Sequence, residues 1–168
     1  MRSNSDIKKV VLYEPGVSVD GSISMDWMGA YEQKLKQDKP LEAFIVFIRA
    51  MDPMARLNPS WVLKMLLPRI MQKDDLSEII TQLPANLLEH KEVAKLDSTH
   101  SNYKQIKAKA LILFGGKSPK STKQALEKLR NVMSDSDLKE FKGLDHFGIN
   151  KGEPALIAEA VRNFFSAD

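Results

Sequence analysis

The sequence predicts an α/β protein: a small parallel sheet with flanking helices, interrupted by an all-helical insertion. Three observations predict it. A short apolar run, Val10 to Tyr13, ends at Pro15-Gly16; residues 25–96 are helical in pattern throughout; and from Ala108 onward strand and helix patterns alternate to the end. Strand, helix, strand, helix in that order implies right-handed crossovers and parallel pairing.

Val10, Val11, Leu12 and Tyr13 are β-branched or aromatic or apolar, preceded by Lys8 and Lys9, which is the pattern of a buried strand. A loop follows to about Ser24. Trp27, Tyr31 and Leu35 then recur at helical spacing, and Leu41, Phe44, Ile45, Ile48 and Met51 mark a second stripe. Three shorter helices complete this block. One runs from Trp61 to Met71 behind Pro59-Ser60, one holds Ile79 and Ile80 with Asp74 or Asp75 as its cap, and one starts at Pro84. Ala110, Leu111, Ile112, Leu113 and Phe114 give a second strand, closed by Gly115-Gly116. A helix over residues 119–133 carries Ala125, Leu126, Leu129 and Met133 on one face, and a short strand around Leu138 to Phe141 follows. In the last helix Leu156, Ala160 and Phe164, with Ile157, Val161 and Phe165 beside them, make a broad stripe behind Pro154. No internal repeat or low-complexity tract interrupts this order.

The chain has 168 residues, 43% of them hydrophobic, enough for one domain with an inserted subdomain. Its 25 basic and 22 acidic residues give a formal charge of +3 and are scattered through helical segments. That is a solvated surface, and it argues against a nucleic-acid partner. There is no cysteine, which excludes a disulfide framework, a thiolate zinc site and a cysteine nucleophile, and fits a reducing cytoplasm. Met1-Arg2-Ser3-Asn4-Ser5-Asp6 leads into the first strand pattern without the features of a signal peptide. Arg49 and Asp52 interrupt the longest apolar run, so no segment approaches the ~20 residues of a membrane span, and a soluble protein is expected.

In open parallel sheets, ligands gather outside the carboxyl ends of the strands. Those places hold Glu14, then Gly115-Gly116-Lys117-Ser118, then Gly143-Leu144-Asp145-His146-Phe147-Gly148. Only the first and third carry good acid or base groups. Two near-motifs fail on inspection. Gly116-Lys117-Ser118 follows a strand as a phosphate loop would, but Leu111 stands where that loop needs its first glycine. Ser101-Asn102-Tyr103-Lys104 fits S-x-x-K, but so does Ser5-Asp6-Ile7-Lys8, which shows how readily chance supplies the pattern.

Val11-Leu12-Tyr13-Glu14-Pro15-Gly16, a helical insertion, Leu111-Ile112-Leu113-Phe114-Gly115-Gly116 and Gly143-Leu144-Asp145-His146, in that order, resemble the C-terminal half of an α/β-hydrolase. The resemblance covers essentially the whole chain. It implies the last three parallel strands of that fold, with residues 1–21 and 103–168 as a partial core and residues 22–102 as an inserted helical cap. It implies that His146 is the general base, which takes a serine proton and returns it to the leaving group. The other reading of His146 is a loop histidine satisfied by solvent or backbone. His90 and His100 fall in helical or polar cap segments and are expected to be structural.

The resemblance also implies a carboxylate that holds the histidine ring. Many members carry it after the penultimate strand, where this sequence has Gly116-Lys117-Ser118-Pro119 and no acid. Some, such as the haloalkane dehalogenases, carry it at the end of the preceding strand, which Glu14 matches. Glu14 is therefore the first candidate for the acid and Asp20, in the Val19-Asp20-Gly21 turn, the second; either could instead merely cap a loop. The family's G-x-S-x-G elbow is missing. Gly16-Val17-Ser18-Val19-Asp20-Gly21 has one residue too many and lies in the wrong loop. The oxyanion donors that accompany the elbow would be missing with it.

The expected protein is thus a truncated or split hydrolase. An intact relative would cleave small, largely apolar esters without metal or organic cofactor, and this chain alone would be inactive. Met28, Phe44, Phe47, Met51, Trp61 and Met65 of the cap are read mainly as packing residues, and alternatively as the roof of an apolar pocket. The rival expectation is a non-catalytic binding or assembly module. Its exposed first-strand edge would pair with a second copy, making a homodimer, or with a complementary N-terminal half.

Overall fold

The computed structural model describes residues 7–150 and 152–167; Met1 to Asp6, the segment that bears on a signal peptide, lies outside the described residues. Two compact units form. One reaches Ile23 and resumes at Leu96, and the other spans Ser24–Lys95.

The first unit is built on β1 (Lys9–Tyr13), β2 (Lys109–Gly115) and β3 (Ser136–Phe141), paired in parallel in the order β1-β2-β3. The central strand explains its own sequence. Ala110, Ile112 and Phe114 face α6 (Lys120–Val132) and pack with its Leu126 and Leu129 and with Met133 just beyond it. Leu111 and Leu113 face α7 (Pro154–Ser166) and pack with its Ile157 and Ala160, along with Phe141 and Leu144. A strand covered on both faces has no polar side to show, hence the unbroken run of apolar residues. β3 starts at Ser136, earlier than its apolar residues suggest. Of its six side chains only Phe141 is fully buried, so Ser136 and Asp137 carry no strand signal in their side chains.

Two stretches of this unit are laced together where the chain departs toward Ser24 and returns after Lys95. Ser98 N–H donates to the Ser18 carbonyl at 2.9 Å, the buried Ser18 hydroxyl donates to Asp97, and Gly21 N–H reaches Asp97 Oδ1 at 3.1 Å. Asp20 and Gly21 adopt left-handed backbone, with φ of 53° and 70°, to make the turn.

The second unit contains α1 (Met28–Lys36), α2 (Pro40–Met51), α3 (Pro53–Leu57), α4 (Ser60–Ile70) and α5 (Lys73–Lys95). Its core gathers Trp27, Tyr31, Phe44, Ile45, Leu67, Leu83 and Leu87. Tyr31 is wholly buried and its hydroxyl donates to the Leu83 carbonyl at 2.9 Å; burial pushes the phenol up to about 12. Two sequence expectations are corrected here. Pro84 does not start a helix but lies inside the 23-residue α5, and Asp74 and Asp75 occupy its first turn rather than its cap. An internal proline costs about 3 kcal/mol. Leu83 and Leu87, both buried on the flanking turn, supply packing that offsets it. Of the six residues read as packing, Phe44 is buried and Met28 and Phe47 pack against the core, but Met51, Trp61 and Met65 are exposed. Among the described residues, no helix is long and apolar enough to cross a membrane.

Candidate active site

The parallel register puts the carboxyl ends of all three strands at one edge. Tyr13 pairs with Leu113 and Gly115 with Phe141, so Glu14, the loop after Gly115 and the loop after Phe141 converge. Glu14 N–H donates to the Leu113 carbonyl at 2.9 Å, continuing the ladder one residue beyond β1. Its φ is 39°, in the left-handed region that non-glycine residues avoid. Three side-chain hydrogen bonds hold it there. Oε1 accepts from Gly115 N–H at 2.8 Å and from the Ser118 hydroxyl at 2.5 Å, while Oε2 lies 2.9 Å from His146 Nδ1. These three bonds fix the carboxylate from three directions against the cost of that backbone.

The histidine sits in a loop as tightly anchored. Asp145 caps a short 3-10 helix, His146–Ile149, by accepting from Phe147 N–H at 2.9 Å. Lys117 N–H donates to the Leu144 carbonyl at 2.9 Å. Only glycine fits at position 115, where a Cβ would stand 2.5 Å from the Leu144 carbonyl oxygen and 2.6 Å from Asp145 Cα.

The electrostatics are those of a coupled pair. Burial works to raise the Glu14 carboxyl, but the hydrogen bonds from His146, Ser118 and Gly115 outweigh it and hold the group below its ordinary range. The hydrogen bond to Glu14 raises His146, against partial desolvation and with help from the charges of Glu14 and Asp145. The Glu14 side chain is 3% exposed and that of His146 65%. With a carboxylate as its partner, Nδ1 carries the proton of the neutral ring, which leaves the lone pair on Nε2.

The other candidates lie elsewhere. Asp20 is engaged by Lys128 on α6 and by Ser98 at 3.4 Å, not by His146. His90 Nδ1 lies 2.9 Å from the Asn86 carbonyl, and its ring meets Trp27 and Phe47 edge-on in the helical unit. His100 opens a 3-10 helix, His100–Gln105, in the sheet unit. Ser118, which the sequence offers only as a residue where an acid is missing, donates to the acid on the neighbouring strand. No group of three or more metal-ligating side chains is placed to hold a metal ion among the described residues.

No family model and no curated protein matches the sequence. Solved structures do resemble the fold. An α/β hydrolase from Sphaerobacter thermophilus DSM 20745 is similar over 95% of this chain and 59% of its own, with a TM-score of 0.65 and 16% identity. MGS-M2, an α/β hydrolase enzyme from a Medee basin deep-sea metagenome library, is similar over 96% of this chain and 57% of its own, with a TM-score of 0.61 and 15% identity. The chain spans less than two thirds of either protein, over its C-terminal part. The architecture is a partial α/β-hydrolase fold.

Proposed function

We propose that this chain supplies the base and acid of an α/β-hydrolase site: His146 the general base, Glu14 the carboxylate that orients it, acting on a small, largely apolar ester. The observation that carries the reading is the 2.9 Å contact between His146 Nδ1 and a buried Glu14 carboxylate that two further donors hold in place. In the reaction, His146 Nε2 takes the proton of a serine hydroxyl as its oxygen bonds to the ester carbon. The imidazolium that forms is stabilised by Glu14, and it returns the proton to the leaving alkoxide as the ester C–O bond breaks. Water then releases the acyl group by the same proton exchange. These 168 residues contain no G-x-S-x-G elbow, so the serine comes from outside them.

The purified chain and its His146→Ala variant should therefore hydrolyse unactivated short-chain esters equally poorly. Turnover that His146→Ala abolishes would mean that the nucleophile lies within these residues. Reading the DNA that surrounds this coding segment tests the source of the serine: a G-x-S-x-G encoded beside it, in any frame, supports a hydrolase completed from outside these residues, and noncoding sequence counts against one.

A second reading is a non-catalytic module that pairs through β1, and one observation favours it. The order β1-β2-β3 leaves β1 at the edge of the sheet among the described residues, with all five of its side chains only partly buried. Light scattering of the purified chain should then give a dimer, and a strict monomer at high concentration counts against edge pairing.

A further inference from the structure

We infer that Tyr13 is a positioning residue for His146, acting through the backbone carbonyl of Asp145. The inference rests on the reading of His146 as the base and adds to it the residue that fixes the base's loop. Tyr13 and Glu14 are consecutive at the end of β1, and Asp145 and His146 are consecutive at the start of the 3-10 turn. Each member of the first couple bonds its counterpart in the second: the Tyr13 hydroxyl donates to the Asp145 carbonyl at 2.6 Å, and Glu14 Oε2 meets His146 Nδ1 at 2.9 Å. The grip on the loop has two points, one on the backbone and one on the ring.

The geometry around the hydroxyl shows how close the fit is. A Cβ on Gly148 would stand 2.6 Å from Tyr13 Oη and 2.9 Å from Leu144 Cβ, so the turn rests on the phenol with only glycine between them. The Asp145 carbonyl also accepts from Gly148 N–H at 3.0 Å. Loss of the Tyr13 hydroxyl therefore leaves that carbonyl with a partner and the turn closed, while removing the backbone point of the grip and leaving only the ring point. Burial, followed by the nearby carboxylates of Glu14 and Asp145, pushes the Tyr13 phenol up, so it is neutral when His146 titrates. Removing it takes away a hydrogen bond and no charge.

NMR titration of His146 in the full chain tests this in Tyr13→Phe, Gly148→Ala and Glu14→Gln, with the exchange rate of the ring Nδ1–H as a second readout. Tyr13→Phe and Gly148→Ala should each lower the His146 pKa part of the way that Glu14→Gln does, and quicken Nδ1–H exchange. The melting midpoint of Tyr13→Phe should stay close to the parent's. A purely structural tyrosine would move the midpoint and leave the titration alone. Parental titration in both Tyr13→Phe and Gly148→Ala, alongside a lowered value in Glu14→Gln, overturns the positioning role and leaves the Glu14–His146 pair standing. A value unmoved in Glu14→Gln overturns the pair and the positioning role with it. Gly148→Ala keeps the hydroxyl and displaces the turn, so it decides the matter if Tyr13→Phe fails to fold.

Discussion

Glu14→Gln is expected to reverse the His146 tautomer. Glutamine keeps the shape of the side chain and loses one acceptor. Its amide oxygen can still serve Gly115 N–H and the Ser118 hydroxyl, which lie 2.8 and 2.5 Å from Glu14 Oε1. The amide NH2 then faces His146, and a protonated Nδ1 would meet a donor. The ring relieves the conflict by carrying its proton on Nε2, the nitrogen that the proposed base needs free. The equivalent change in the serine-protease triad lowers kcat by about 10^4-fold, and a similar loss is expected for any hydrolysis that runs through His146. Ring 15N shifts read the tautomer directly. A parental Nδ1–H signal in Glu14→Gln would remove Glu14 as the orienting acid.

The same variant should flatten the pH dependence of stability at both ends. Glu14 is held below the ordinary carboxyl value of 4.5, so its contribution is present above that value and is lost as pH falls through the lowered one. His146 is raised above its ordinary 6.5, so its contribution is present below that value and is lost as pH rises through the raised one. The exposure of His146 makes its share the smaller. Between the two, Glu14→Gln should cost about 1–3 kcal/mol for donors left poorly matched in a buried place. Urea unfolding at a series of pH values measures both effects.

Truncating the central strand should cost the most stability. Ile112 and Leu113 are each fully buried, on opposite faces of β2, one under α6 and the other under α7. Ile112→Ala and Leu113→Ala should each lose about 2–5 kcal/mol. That is a large share of the roughly 5–15 kcal/mol that stabilises a typical domain. In the helical unit Leu57 and Trp61 are 77% and 69% exposed, and Leu57→Ala and Trp61→Ala should stay within about 0.5 kcal/mol. Equal losses in the two pairs, read from urea midpoints, would mean that the burial assigned to β2 is wrong.

The difference between these residues is also the difference in what the sequence discloses. β2, α6 and α7 could be read because burial writes itself into periodicity: continuous in a strand covered twice, stripe-like in a helix covered once. β3 was only half legible, because at the end of the sheet Ser136 and Asp137 pair by backbone without needing apolar side chains. Pro84 misled for a related reason. Its local preference ends a helix, and the burial of Leu83 and Leu87 overrides that preference through tertiary contacts that no local pattern encodes. The position of Glu14 after a strand marked it as a candidate, as did that of His146. The donors around them were hidden, since whether the Ser118 hydroxyl or the Tyr13 phenol points at its partner depends on strand register and loop course. The lacing of Asp20 to Lys128 is hidden too: sequence leaves Asp20 and Glu14 in competition, while the structure joins Asp20 to Lys128 and Glu14 to His146.

The lacing of Ser18 and Gly21 to Asp97 and Ser98 has a consequence for how such a protein can change over time. A long excursion from a fold costs conformational entropy chiefly through the closing of its ends, and that cost rises only with the logarithm of its length. Here the ends are closed by bonds that belong to the sheet unit itself. The helices of residues 24–95 are thereby a cassette: they can be lengthened, shortened or exchanged with little penalty to the sheet.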